Sequence, residues 1–464
     1  METNNQQQGK FGKWVKTSIT ARMIMVGFLI LILLIPLSYI EALIQERMNR
    51  QQEVVKEINE KWGEEVLIYG PILKVPYKTY QTKTKYNETT KVWEKEELEK
   101  IHYAYFFPDE LNIISTINPE EKTRGIYKTA VYQSDISLKG KFKKPDFSEK
   151  EIKEEDIVWE KVRLVMQTSN LKGASSLFEI NINKNKYPLK STHFSDNYEN
   201  TNYREYQEVQ LNELESNLLK IEDTPKEKPF SFSIDINMKG SEQIRFIPIG
   251  KETNVNIKSN WKTANFIGEY LPFNSDKINE NGFDAKWKVL DINRPFSQQF
   301  FKGIPKLKKF SFGVNFMIPV DEYQKSERSA KYGFLVISLT FLVFFLIQTM
   351  SNIHIHPFQY LMIGIALTMF YTLLISISEH SSYLKAYLIA GFSVITLITL
   401  YSKSILKNIK FPFFICSSLT ALYTFIFVII QLENYALLVG SVGLFIILAS
   451  VMYASRKIDW ENNL

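Results

Sequence analysis

The chain has 464 residues, 45% of them apolar, with 56 lysines and arginines against 50 acidic residues and a formal net charge of +6. The modest basic excess sits partly in short flanks of apolar runs, and no basic helix interleaved with aromatics is present, so nucleic acid is excluded as a partner. A single cysteine, Cys416, rules out a disulfide framework, and its place within an apolar run reads as a small packing residue.

The first long apolar run spans 23–40 and follows Lys10, Lys13, Lys16 and Arg22. A helix needs ~20 apolar residues to cross hydrocarbon, so this run reads as a transmembrane anchor. It passes through Ile35-Pro36-Leu37 into Tyr39-Ile40-Glu41-Ala42 without a small-residue cleavage pair, which favours an anchor over a removed signal peptide. Over 41–62, Leu43, Ile44, Met48, Val54, Val55 and Ile58 recur at helical spacing, and Gly63 supplies a stop.

The next segment, 63–330, is polar and reads as a domain of short strands. Glu65–Tyr69, then Gly70-Pro71, then Ile72–Tyr77 predicts strand, turn, strand. Further alternating runs cover 127–132, 134–142, 163–167, 230–238, 244–249, 254–257 and 310–317. Short strands with frequent turn signals favour an antiparallel sandwich over a parallel sheet. The charged stretch 148–156 and the polar stretch 194–206 read as solvated insertions. A segment of roughly 290 residues between the first two spans can bury ~75% of its unfolded surface without disulfides.

Five more apolar runs follow, at 333–350, 358–378, 386–400, 411–430 and 435–454, the third of them marginal in length. The fold class is thus an α+β membrane protein: one N-terminal transmembrane helix, a large exported antiparallel β-sandwich-like domain and a C-terminal bundle of five transmembrane helices. The boundaries are 1–22 for the N-terminal segment, 23–40 for the anchor, 41–62 for its extension, 63–330 for the β-rich domain, 331–454 for the bundle and 455–464 for the tail.

Positive flanks stay in the cytoplasm, which places the N-terminus inside. Six crossings return the C-terminus to the same side, where Lys403, Lys407, Lys410, Arg456 and Lys457 also fall. The opposite loops hold Glu379 with His380 and Glu433 with Asn434. The expected location is a bacterial inner membrane, with both termini cytoplasmic and the β domain periplasmic.

No catalytic signature is present. There is no Gly-x-Ser-x-Gly elbow, His-Glu-x-x-His pair, Cys-x-x-Cys pair or phosphate loop, and Gly173-Ala174-Ser175-Ser176 lacks the second glycine of an elbow. His102 and His193 are isolated in the polar domain. His354 and His356 precede Pro357, and roughly twenty-three residues of helix, ~35 Å, separate them from His380, so a shared metal site is excluded. The expectation is no enzyme, no cofactor and no metal. The spans carry no ionisable group at mid-depth, which weighs against a proton-coupled transporter. One set stands out at the outer face: Glu327, Arg328, Lys331, Glu379, His380 and Glu433, with Lys385 nearby. Opposite charges confined to one interface suit docking of elements or a shallow interaction site.

Several stretches resemble the CreD family of bacterial inner-membrane proteins. Near the start these are Leu34-Ile35-Pro36-Leu37, Ile44-x-x-Arg47, Trp62-Gly63 and Gly70-Pro71-Ile72-Leu73-Lys74-Val75-Pro76-Tyr77. In the middle come Arg124-Gly125-Ile126-Tyr127, Arg245-Phe246-Ile247-Pro248-Ile249-Gly250, Ser259-Asn260-Trp261 and Asn281-Gly282-Phe283-Asp284-Ala285-Lys286-Trp287. The C-terminal part adds Pro319-Val320-Asp321-x-Tyr323, Glu327-Arg328-x-x-Lys331-Tyr332-Gly333, His356-Pro357, Ser378-Glu379-His380 and Glu433-Asn434-Tyr435. Two places depart from the family pattern. Lys262-Thr263-Ala264 stands where a proline and histidine are expected, and Asn170 stands where an aspartate is expected.

The resemblance implies a role in cell envelope integrity, in tolerance of β-lactams and colicins, and a functional link to a two-component system. It brings no catalytic residues. The partners implied are the lipid bilayer and an envelope or periplasmic component. Two other readings stay open: a transporter of a lipid or envelope precursor, and a membrane sensor acting through a partner kinase.

Overall fold

The computed structural model describes residues 19–87, 92–192, 211–316, 318, 322–351, 353, 355–406, 409–432 and 435–456. The chain parts into two compact units, one running from Val54 to Pro319 and the other formed by the segments on either side.

The first helix, α1 (Ile19–Trp62), is a single helix of 44 residues that includes Pro36; the part up to Glu53 belongs to the helical unit and the rest to the β unit. The helix ends where Gly63, at φ +129°, and Glu64 both donate their backbone N–H to Asn59 O. After the β unit come α2 (Glu322–Lys331), α3 (Gly333–Ser351), α4 (Pro357–Ser378), α5 (Tyr383–Ile405), α6 (Lys410–Gln431) and α7 (Ala436–Ser455). Six of these helices, α1 and α3 to α7, are long and apolar enough to cross a membrane. His356 caps α4, its Nδ1 accepting from Phe358 N at 3.2 Å. His354 lies outside the described residues.

Between 26 and 44 the buried positions of α1 are Val26, Leu29, Leu33, Leu37, Ile40 and Ile44, one stripe at steps of three and four, while Phe28, Leu31, Ile35 and Tyr39 face outward. Small residues admit this stripe into the bundle. A Cβ at Gly364 would stand 2.0 Å from Leu33 Cδ1, and one at Gly333 would stand 2.7 Å from Leu37 Cδ1. Glycines that let another helix's side chain approach so closely are the usual means of helix association in lipid, where no hydrophobic drive operates between helices.

The β unit contains β1 (Val66–Asn87), β2 (Val92–Phe106), β3 (Glu110–Arg124), β4 (Tyr127–Phe142), β5 (Arg163–Thr168), β6 (Glu179–Ile182), β7 (Asn185–Ser191) and β8 (Asn212–Ser216). It continues with β9 (Phe230–Ser241), β10 (Gln243–Phe246), β11 (Glu252–Ser259), β12 (Ala264–Gly268), β13 (Ile278–Asn279), β14 (Gly282–Leu290), β15 (Gln299–Phe300) and β16 (Phe312–Phe316). One sheet runs β12-β16-β10-β1-β5-β8 and the other β6-β9-β4-β3-β11-β14-β13. They meet at β7, which pairs β6 through Asn185–Pro188 and β8 through Leu189–Ser191. The pairing is antiparallel except between β1 and β10 and between β3 and β11.

The two sheets pack face to face as a sandwich over one core. Ile113, Ile136, Ile234 and Trp287 from one sheet join Val66, Ile72, Leu164, Ile244 and Phe312 from the other. Trp287 and Phe312 lie 5.5 Å apart between ring centres, and Tyr132 and Phe316 lie 5.1 Å apart. Alternation explains which residues face inward: β9 reads buried at Phe230, Phe232, Ile234, Ile236 and Met238.

Several elements differ from the sequence expectation. Gly70-Pro71 makes no turn: β1 runs straight through it, with one extra residue relative to β5 between the pairs Tyr69–Gln167 and Ile72–Val165. That is a bulge, and Gly70 at φ +145° sits against the Met166 backbone. The runs 127–132 and 134–142 are one strand, β4. The stretch 148–156 contains two short 3-10 turns with no buried residue, and 194–206 lies outside the described residues, as does His193. The break drawn at 330 also moves, because α2 groups with the helices rather than with the sandwich.

Candidate functional site

The α2 sequence, Glu-Tyr-Gln-Lys-Ser-Glu-Arg-Ser-Ala-Lys, has almost no apolar residue, yet one face of it is buried. That face is Tyr323, Ser326, Ser329 and Ala330, at helical spacing. It packs chiefly against α4 and α6. Small and hydroxyl-bearing side chains permit close approach and supply hydrogen bonds in place of greasy contact. Ser329 Oγ donates to Lys325 O at 2.8 Å and lies 2.7 Å from Tyr383 OH. A serine has one proton to give, so Tyr383 is the donor in the second bond. This ties α2 to α5. Ser326 Oγ is buried without a partner among the described residues.

Glu379 occupies the C-cap of α4, with its side chain 16% exposed. That is an unfavourable place for a carboxylate, because the last carbonyls of a helix present partial negative charge. Two groups offset it. Arg47 Nε, from α1, lies 3.5 Å from Glu379 Oε1, and Tyr323 OH donates to the same oxygen at 3.4 Å. Three elements far apart in the chain, α1, α2 and the end of α4, therefore converge on one carboxylate.

The other members of the charged set are placed differently. Glu327 pairs with Lys331 at 2.8 Å along α2, an i,i+4 contact with Lys331 63% exposed. Such a pair contributes only ~0.3–0.5 kcal/mol. Arg328, His380 and Lys385 are exposed, with no side-chain hydrogen bond or ion pair among the described residues. Glu433 lies outside the described residues. The structure thus brings Glu379 together with Arg47 and Tyr323, neither of which the charge pattern singles out as its partner.

Below this cap the bundle is aromatic. The Phe370 ring centre lies 4.9 Å from that of Tyr371, 5.2 Å from Tyr387 and 4.6 Å from Tyr423. Tyr387 OH donates to Tyr423 O at 2.8 Å, linking α5 to α6, and Tyr360 OH donates to Gln348 Oε1 at 2.8 Å, linking α4 to α3. No group of three or more metal-ligating side chains converges among the described residues. The arrangement can hold helices in register and present charge at one end of the bundle.

Comparison with known proteins agrees with this architecture. A family model described as Inner membrane protein CreD matches residues 18–461. The Inner membrane protein CreD of Escherichia coli (strain K12) is 26% identical over 433 residues, 93% of this chain and 91% of that protein. The match runs through the anchor, the sandwich and the bundle alike, so the chain belongs to the CreD family of inner membrane proteins.

Proposed function

We propose that this protein supports the integrity of the bacterial cell envelope under stress, without catalysing a reaction, through an exported β unit held to the inner membrane at both ends. The observation that carries this reading is the two-sheet unit Val54–Pro319, flanked in the chain by α1 on one side and five membrane-length helices on the other. Charge supports export of that unit. In the sequence, Lys403, Lys407 and Lys410 follow the fourth apolar run and Arg456 and Lys457 the sixth, the positions expected on the side of the basic N-terminal segment, and positive flanks are retained in the cytoplasm.

Two experiments test the proposal. Deleting the gene should sensitise cells to detergent and to β-lactams, and complementation should restore tolerance; unchanged sensitivity across such a panel counts against the envelope role. A periplasm-dependent reporter fused after residue 200 should be active while a cytosol-dependent one is silent, and the reverse result overturns the orientation. Proteoliposome transport of a lipid precursor that depends on Glu379 would favour a transporter instead.

A further inference from the structure

A groove of about 550 Å³ runs between α3, α6 and α7, within the size range of small-molecule sites. Leu346, Phe414, Ser418, Gly443, Ser450 and Ala454 are among its walls. Its origin is the placement of α7, which buries none of its 20 residues and packs chiefly on α6. The two helices approach closely at Gly443, where a Cβ would come 2.1 Å from Phe425 Cε2. Held there, α7 stands off α3 and leaves an apolar slot open to its surroundings.

Those surroundings are hydrocarbon if the helices span a membrane, and an apolar slot does not hold water. The charge at one end narrows the occupant further. The slot extends to Phe414 and Ala454, in the end turns of α6 and α7. Lys410 opens α6 one turn before Phe414, and Arg456 follows α7 two residues beyond Ala454. Both are exposed, and Arg456 lies over the Tyr453 ring at 4.7 Å. The stretch from Lys403, in the last turn of α5, to Lys410 contains no carboxylate. Basic residues beside a cleft between membrane helices suit an anionic headgroup.

We propose that this slot is a binding site for an anionic phospholipid, one acyl chain lying between α3, α6 and α7 and the phosphate meeting Lys410 and Arg456. The length of α5 separates the site from the Glu379 cap, and the site needs no assumption about the role of the β unit.

The test uses the full-length protein reconstituted in vesicles of phosphatidylglycerol and phosphatidylcholine in equal parts, then extracted and weighed by native mass spectrometry. One phosphatidylglycerol should be retained in preference to phosphatidylcholine. Replacing Lys410→Gln and Arg456→Gln should cut that preference roughly fivefold for each charge removed. Ser418→Trp should fill the slot and lose the bound lipid, while Phe445→Trp, on the exposed face of α7, should retain it. Equal retention of the two lipids by the unaltered protein overturns the proposal, as does undiminished retention by Ser418→Trp. Should Ser418→Trp fail to fold, the comparison of the two lipids on the unaltered protein decides the matter alone.

Discussion

Arg47 Nε lies 3.5 Å from Glu379 Oε1, joining a helix near the start of the chain to the C-terminal end of α4. Because Glu379 is mostly buried at a helix end that disfavours negative charge, removing either partner should be felt. Arg47 is 44% exposed, so water screens the pair and the coupling should be about 0.5–1 kcal/mol in a double-mutant cycle of Arg47→Gln and Glu379→Gln. Tyr323→Phe should cost a further ~1 kcal/mol by removing its hydrogen bond. Thermal unfolding of the protein in detergent checks both. Additive losses from Arg47→Gln and Glu379→Gln would show that the two side chains act separately.

A second carboxylate, Asp223, is 1% exposed within the sandwich and accepts hydrogen bonds from Tyr187 OH at 2.6 Å, Asn183 Nδ2 at 2.6 Å and Asn185 Nδ2 at 2.7 Å. Burial alone would raise its pKa, but those three bonds and the Lys220 charge together hold it below the ordinary 3.8. Its stabilising contribution is therefore complete above the unfolded carboxyl range and lost as pH falls through the depressed folded value. Asp223→Ala should cost about 3 kcal/mol at neutral pH, with a deficit that shrinks in acid. Tyr187 moves the opposite way, pushed up to about 12 by burial and then by Asp223. Stability should thus fall as pH rises from 10 towards 12, and Tyr187→Phe should remove that part of the loss. Denaturant unfolding followed by tryptophan fluorescence across pH reads both effects.

Asn170 stands where the family pattern leads one to expect aspartate, and its amide is committed at both ends. Nδ2 donates to Lys239 O at 2.8 Å and Oδ1 accepts from Gly173 N at 2.7 Å. An aspartate could keep the second bond but not the first, and would set an oxygen against the Lys239 carbonyl. Asn170→Asp should cost ~1–3 kcal/mol. Gly173→Ala should cost more, since a Cβ there would stand 2.0 Å from Lys239 O, a backbone atom with little room to yield. Unfolding midpoints of the two variants, ranked against each other, test this order.

These sites show what could be read from sequence and what could not. The membrane-length helices were visible because a span must be apolar over its whole length. Strands such as β9 and β11 were visible because one face meets the core. The α2 face was not, because Ser326 and Ser329 bury hydroxyls at helical spacing, and a hydrophobic pattern is blind to them. Glu379 was legible as the end of a span, but its partners Arg47 and Tyr323 come from distant segments whose meeting depends on helix packing. The 92–106 stretch, rich in Glu and Lys, has no alternation over most of its length, and β2 was missed.

That loss of alternation has a physical cause, which leads to a last prediction. From Lys78–Ile101 to Asn87–Val92, β1 and β2 pair only with each other, with no third strand on either edge among the described residues. Both faces of this ribbon meet solvent, so neither needs to be apolar. Tyr80 is 54% exposed and Ile101 43%, whereas Leu73 and Val75 on the same β1–β2 ladder are fully buried. A two-stranded ribbon is marginal by itself in water, held here by its root in the sandwich and by a hydrogen bond between Tyr80 and Asp156. Backbone amides in 79–87 and 92–100 should exchange with deuterium within seconds to minutes, far ahead of those in 66–75. Shortening the ribbon to a two-residue turn between Lys78 and Ile101 should leave unfolding within about 0.5 kcal/mol of the intact protein. Slow exchange throughout the ribbon would mean that another surface covers it.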